Sequence, residues 1–416
     1  MSAPTSQQVE SRGAGRAPGN LPRMLYVGDV AVESTVAGST LLYRLLQNYP
    51  ADRLRVAEGN ISSSQPDKRL PGVKYEEFNV GVGRLLRTRF HYLYSGLLHL
   101  TAPARAARLS KVCRDFRPEA VLTVAHGYSW LTATHLSMKA RLPLHLIVHD
   151  DWVSIQKSVL PAAIHSKLDR EFGEVYRHAT SRLCASPYMV EALAERYGAA
   201  GTVLYPSRAA GFPEYDGPPQ RGEAGDKLVF AFAGTVNTRG YAQSLATLAS
   251  VLRSTGGELR VYSNLNEAGV SDCGLEGGHV SVRPVVPFGE LLESLRREVD
   301  VLFVPMSFAA EDAQNMQAGF PSKIADYTAV GLPLLIWGPP YCSAVRWARE
   351  NSGVAEVVDA PAAAALRDSV ARLMRSAQYR RSLAEVSLRK GREFFAHDAA
   401  VEKFHRLVAR PDPGQK

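Results

Sequence analysis

Cysteine is scarce in this 416-residue chain: Cys113, Cys184, Cys273 and Cys342 lie far apart, and no C-x-x-C pair occurs. That spacing argues against a zinc site or a disulfide framework and points to a reducing cytoplasm. No stretch approaches the ~20 consecutive apolar residues that a membrane-spanning helix requires. The opening "MSAPTSQQVESRGAGRAPGNLPR" lacks the apolar stretch of a signal peptide, and residues 1–22 read as a disordered leader. No G-x-G-x-x-G is present, which counts against a nicotinamide-dinucleotide enzyme, and no nucleic-acid motif is present either.

Charge is unevenly spread. Residues 1–206 carry 25 Lys+Arg against 17 Asp+Glu, a net of +8, whereas residues 207–416 carry 24 of each. The densest basic segment, "GRLLRTRFHYLYSGLLHLTAPARAARLSKVCRDFR" (83–117), mixes arginine with Leu, Phe and Tyr. It reads either as a solvated helix face over a core or as a surface for an anionic membrane or acidic substrate; nucleic acid is not expected.

A chain of this length exceeds what one core usually supports, so two domains are expected. From Met24 to about Leu204, apolar β-branched runs alternate with helical patterns: "MLYVG" (24–28), "EAVLTVAH" (119–126), "LPLHLIVHDDW" (142–152), "SRLCAS" (181–186) and "GTVLYPS" (201–207). After the first run, Ser39 or Thr40 is placed to cap a helix. Residues 207–227, rich in Gly, Pro and charge, interrupt the pattern and read as a linker. The alternation then restarts through "KLVFAFAG" (227–234), "ELRVYS" (258–263), "HVSVRP" (279–284), "VDVLFVP" (299–305), "LPLLIW" (332–337) and "GVAEVV" (353–358). Such alternation implies βαβ crossovers and parallel sheets. The expected fold is α/β: two Rossmann-like, doubly wound domains facing across a cleft, at 23–206 and 228–380. A C-terminal helix over 381–408 crosses back to the first domain, and 409–416 form a tail.

Ligands of parallel α/β sheets gather at the carboxyl ends of strands, and several unusual residues fall there. In "GFPSKIADYTAVGLPLLIW" (319–337), Pro321 opens a helix and Gly331 ends it, yet Lys323 occupies the first turn, where the helix dipole disfavours a cation. The lysine either points to solvent or meets an anion at the helix N-terminus, with Ser322 as a further donor. In "FAGTVNTRGY" (232–241) Arg239 precedes a helix, where it is placed either to grip a diphosphate or to sit at the surface. His126 and His149 each end a strand run, Asp150, Asp151 and Trp152 follow His149, and Gly38 allows close backbone approach after the first strand. The His/Asp spacing matches no standard ligand set, so neither metal nor cofactor is expected.

Taken in order, "PEAVLTVAHG", "LIVHDDW", "FAGTVNTRG" and "FPSKIADYTAVGLPLLIW" resemble the GT-B glycosyltransferases of the group 1, retaining, glycogen-synthase and mannosyltransferase-like type, over about Met24 to His405. The resemblance implies a nucleotide-diphosphate-sugar donor and metal-free transfer. Gly38 would lie near the donor diphosphate, Arg239 would replace the family's phosphate-binding lysine, and Thr235 its preceding arginine. Ser322 and Lys323 would hold phosphate, and Asp326 would take the place of the second glutamate of the acidic pair, which binds the donor ribose. The first glutamate falls at Ala318 and is missing; Glu311 and Asp312 are acids upstream. His126 and His149 match first-domain active-site histidines, with His149 or Asp150 orienting the acceptor. The expected acceptor is a polysaccharide, a glycolipid or a small molecule, and the setting is the cytoplasm, with the inner membrane face as a possible docking surface. An epimerase or phosphorylase on the same fold, or a non-catalytic nucleotide-sugar binder, are the competing readings.

Overall fold

The computed structural model describes residues 21–35, 37–59, 64–78, 88, 91–220, 227–236, 238–286 and 288–409. The first sheet comprises β1 (Met24–Gly28), β2 (Leu54–Glu58), β3 (Lys74–Glu77), β4 (Ala120–Val124), β5 (Leu144–Val148), β6 (Ser181–Cys184) and β7 (Thr202–Val203). Its order is β3-β2-β1-β4-β5-β6-β7 and every pairing is parallel. The second comprises β8 (Val229–Ala233), β9 (Glu258–Tyr262), β10 (Val280–Arg283), β11 (Val301–Pro305), β12 (Leu334–Trp337) and β13 (Ala355–Val358), in the order β10-β9-β8-β11-β12-β13, again parallel. The strand order reverses at β1/β4 and at β8/β11, the switch points at which α/β sheets open a crevice.

Helices fill the crossovers. In the first half they are α1 (Ala37–Leu46), α2 (His91–Arg108), α3 (Ser110–Phe116), α4 (Ser129–Ala140), α5 (Trp152–Ile155), α6 (Ala162–His178) and α7 (Pro187–Tyr197). In the second they are α8 (Arg239–Thr255), α9 (Glu267–Asp272), α10 (Phe288–Glu298), α11 (Ala313–Ala318), α12 (Lys323–Val330), α13 (Ser343–Glu350) and α14 (Ala363–Arg375), followed by α15 (Ala377–Phe395) and α16 (His397–Val408).

Both sheets are covered on both faces, which is why their strands read as continuous apolar runs. Side chains nevertheless alternate between layers. Leu25 and Val27 join a core shared by the two domains, while Met24 and Tyr26 face α1 and the outer layer. In the second sheet Leu302 and Val304 point into the shared core, and Val301 and Phe303 point away from it. At the junction Tyr205, Phe320, Trp347 and Phe395 pack edge to face or tilted, with centroids 5.3–6.0 Å apart. Tyr188 Oη donates to Glu350 at 2.6 Å and Arg346 pairs with Glu191 at 2.7 Å, tying the domains at their edge.

Several expectations are revised. The strands β2 and β3 have no counterpart among the apolar runs, because "LRVAE" is interrupted by charge and "KYEE" is an edge strand with no buried residue. Neither Ser39 nor Thr40 caps α1, which already begins at Ala37. The final helical stretch is two helices, broken at Ala396, whose backbone is extended at ψ 130°. The first, α15, packs on α12, so the crossing back begins only at His397, with Phe404 and Val408 in the outer core beside Tyr49. Of the linker, 207–220 and 227 form neither helix nor strand, and 221–226 lie outside the described residues. Of the leader, 1–20 lie outside them, whereas Leu21 is buried and Pro22 accepts a bond from Tyr49 Oη. Among the described residues no helix is long and apolar enough to cross a membrane.

Candidate active site

The second-domain side is built around α12. Tyr327 Oη bonds the backbone N–H of Ala233 at 2.6 Å, fastening α12 to the end of β8, and the next residue, Gly234, has φ +149°. Its backbone angle favours glycine, and a Cβ there would come 3.2 Å from Lys323 Nζ, so the lysine would have to give way by a few tenths of an ångström. The ammonium lies 3.9 Å over the Phe232 ring and 5.6 Å from that of Tyr241. No salt bridge to Lys323 is found among the described residues. Burial without a counter-charge pushes its pKa down to about 7.

The remaining donor-side candidates cluster at helix starts. Ser322 precedes α12 with helical backbone and makes no side-chain cap, leaving its hydroxyl to other partners. Arg239 is the exposed first residue of α8, whose cap is Thr238 accepting from Tyr241 N; Thr235 is exposed on the preceding loop. Gly38 is exposed near the start of α1, with open space where a Cβ would be.

Asp326 departs from its expected surroundings. Its Oδ1 forms a 2.9 Å ion pair with Arg44 of α1, and burial raises its carboxyl pKa although Arg44 and Arg208 pull it down. Ala318, where the missing acid would stand, is only 1% exposed, and its carbonyl accepts a bond from Ser186 Oγ of the first domain. Glu311 is exposed. Asp312 is half-buried against the first turn of α8, where a Cβ on Gly240 would lie 3.0 Å from Asp312 Oδ2.

Opposite stand His126, beyond the end of β4, and His149 and Asp150, beyond the end of β5. His126 and Asp150 are exposed and His149 half-buried. Burial depresses the His149 pKa, Asp150 counteracts this, and the charge of His126 adds to the depression, so the three groups form one cluster. Asp150 also raises the pKa of Tyr241 in α8, behind burial as the main cause, which sets the first-domain cluster and the Lys323 side within electrostatic reach of one tyrosine. Asp151 serves the scaffold instead: it caps α5 at Ser154 N and pairs with Arg196 at 3.1 Å.

Three contributors escaped the sequence reading. Asp29, after β1, accepts from the N–H groups of Tyr128 and Ser129 at 2.6 and 2.7 Å and from Ser129 Oγ at 2.6 Å, fixing the turn that carries His126. The Asp directly after "MLYVG" at a strand end was a usable signal. Tyr241 and Arg44 gave none, since a tyrosine and an arginine inside amphipathic helices are ordinary. Among the described residues no three His, Cys, Asp or Glu side chains are grouped so as to hold a metal ion.

Two parallel Rossmann-like sheets with switch points facing one another define the GT-B fold, and solved structures agree. HepE of Anabaena, solved with UDP and glucose, is 12% identical over 93% of this chain and 99% of its own, with a TM-score of 0.67. Sucrose-phosphate synthase of Thermosynechococcus elongatus is 14% identical over 92% and 97%, with a TM-score of 0.66. The apo lipopolysaccharide outer core galactosyltransferase WaaB is 14% identical over 92% and 98%, with a TM-score of 0.60. No curated protein matches the chain in sequence. The family described as glycosyl transferase 4-like domain matches residues 48–206. The chain has the GT-B fold, and the glycosyl transferase 4-like match falls on the domain built around the first sheet.

Proposed function

We propose that the protein transfers a sugar from a nucleotide-diphosphate donor to an acceptor hydroxyl, with retention and without a metal ion. The carrying observation is the half-buried Lys323 ammonium at the start of α12, which has no carboxylate partner among the described residues. A diphosphate leaving group supplies the missing negative charge, and the α12 N-terminus and Arg239 add to its stabilisation. The bond from the anomeric carbon to the diphosphate oxygen breaks, the bond to the acceptor oxygen forms, and the acceptor proton passes to the departing diphosphate. His126, His149 and Asp150 orient the acceptor from the first domain. Gly38, Thr235 and Ser322 complete the diphosphate contacts.

HepE, which shares the fold, was solved with UDP and with UDP-glucose, so a uridine nucleotide is the first donor to test. A thermal-shift panel of UDP, GDP, ADP, CDP and dTDP tests the reading; at 100-fold over Kd one responder gains about 2.7 kcal/mol of stability. No shift with any of them would refute it.

The acceptor we favour is lipid-linked or polysaccharide, met by a cytoplasmic enzyme at an anionic membrane face. On α2, Leu93 and Leu100 are 53% and 81% exposed, and Arg108, Lys111 and Arg114 follow on α2 and α3 with exposed side chains. Residues 83–87, 89 and 90 of the basic segment lie outside the described residues. Flotation with vesicles of neutral and of anionic lipid tests this part; equal recovery with both would refute it.

A further inference from the structure

Asp312 closes a short turn of helix, Ala310–Asp312, and stands at the start of α11, where an aspartate commonly caps the helix. Its backbone is already helical, at φ −89° and ψ −10°, and its side chain makes no cap bond. No hydrogen bond or ion pair to this half-buried carboxylate is found among the described residues. It lies instead against the first turn of α8. A Cβ on Gly240 would stand 3.0 Å from Asp312 Oδ2 and 1.9 Å from Ser307 Oγ, so only glycine lets that turn come so close. Ser307 is fully buried and its Oγ accepts from the Ala309 N–H at 3.1 Å, which fixes the segment between β11 and α11.

Two phenols lie within reach of the Asp312 charge. Tyr241 follows Gly240 on α8, and Tyr341, 40% exposed, lies beyond the end of β12. Burial is the main cause of the raised pKa of each, and the charge of Asp312 adds to it in both. Asp150 acts on Tyr241 in the same sense, so negative charge reaches this tyrosine from both domains. Among the described residues neither Asp150 nor the Tyr241 hydroxyl has a hydrogen-bond or ionic partner. The Lys323 ammonium lies 5.6 Å from the Tyr241 ring. Tyr241 is thus shared by a cation suited to phosphate and by two carboxylates without cations of their own.

We propose that Asp312, with the Tyr241 hydroxyl, receives the sugar of the donor and restricts it to neutral sugars bearing free hydroxyls. This rests on the reading that Lys323 receives the diphosphate of a uridine donor, since the sugar is the next group along that chain. An unpaired carboxylate accepts hydrogen bonds from sugar hydroxyls, and a charged acceptor makes them strong. The same charge repels a sugar that carries its own carboxylate, and Asp150 adds to the repulsion. Asp312 is a specificity-determining residue and takes no part in breaking the anomeric bond.

The test separates the sugar from the rest of the donor. UDP, UDP-glucose and UDP-glucuronate are titrated by calorimetry into wild type, Asp312→Asn, Tyr241→Phe and Glu311→Gln. Wild type is expected to bind UDP-glucose about tenfold or more tightly than UDP-glucuronate. Asp312→Asn keeps the shape and removes the charge. It is expected to weaken UDP-glucose about tenfold, to leave UDP unchanged and to abolish the discrimination against UDP-glucuronate. Tyr241→Phe weakens UDP-glucose by a smaller factor, again without effect on UDP. Glu311→Gln removes the same charge from the exposed neighbouring residue and changes none of the three, which separates contact from general field. A wild type that binds the two sugar nucleotides equally overturns the proposal and leaves the Lys323 reading intact. So does an Asp312→Asn variant that weakens UDP as much as UDP-glucose, or weakens neither. A wild type that does not bind UDP refutes the uridine donor on which the proposal is built, and both fall. Should Asp312→Asn fail to fold, Tyr241→Phe carries the same comparison of UDP with UDP-glucose.

Discussion

The Lys323 ammonium stands 3.9 Å over the Phe232 ring, facing an aromatic surface where a carboxylate would be expected. The aromatic face offsets part of the lost hydration, while burial lowers the lysine's pKa to about 7. A site of this kind is poorly stable when empty and gains when an anion arrives.

Donor binding is therefore expected to be linked to protons. The free protein holds Lys323 half-neutral near pH 7, and a bound diphosphate favours the charged form, so binding takes up a proton above that pH. Affinity for the nucleotide falls as pH rises from 7 to 9, and Lys323→Met removes both the affinity and the pH dependence. Calorimetry in buffers of differing ionisation enthalpy measures the uptake; a pH-independent Kd for wild type contradicts it.

The same lysine burdens folding. Its folded pKa, about 7, lies below its unfolded value of ~10.4, so between these pH values the unfolded chain binds more protons and stability rises with pH. Below pH 7 both states are charged and the penalty is complete. Lys323→Met is expected to melt higher than wild type at pH 7 while losing turnover, and thermal unfolding at pH 6, 7 and 9 checks both the sign and its disappearance in the variant.

Burial and the neighbouring charge of His126 keep His149 neutral to lower pH than a free imidazole, against the pull of Asp150. The acid limb of the kcat/KM profile should accordingly fall below the usual histidine range and vanish in His149→Gln. That variant is expected to lose about 10²-fold or more in kcat/KM, with donor affinity unchanged. Full activity in His149→Gln would reduce the residue to packing.

Gly234→Ala forces a non-glycine residue to φ +149° and brings a methyl 3.2 Å from Lys323 Nζ. The cost is about 1–3 kcal/mol of stability, read by chemical denaturation, with weaker pyrophosphate binding as the lysine is displaced. Ala substitution at Gly38, whose surroundings are open, should leave stability nearly unchanged and serves as the control.

Asp29→Ala removes the acceptor of three hydrogen bonds at the start of α4 and leaves the N–H groups of Tyr128 and Ser129 without it. A loss of about 2–3 kcal/mol in unfolding free energy is expected, together with a fall in kcat as the turn carrying His126 loosens. Unchanged unfolding would show that water replaces the carboxylate at no cost.

Much of the architecture is written locally. Buried parallel strands need uninterrupted apolar residues, so "MLYVG", "VDVLFVP" and "LPLLIW" announced themselves, and Gly331 at φ +77° ends α12 where its position suggested. The misfit of Lys323 with its helix dipole was also legible, because the dipole and the first-turn position are properties of one segment. What escaped depends on distance along the chain. Polar edge strands such as β3 exist only because β2 lies beside them. Arg44 and Asp326 are 282 residues apart, Asp29 and Ser129 are 100 apart, and no local pattern pairs them. The sequence by itself determined that two parallel α/β layers form and which residues stand at the strand ends. Only the tertiary structure decided which of those residues meet, because a charge takes its partner from the neighbours that packing brings to it.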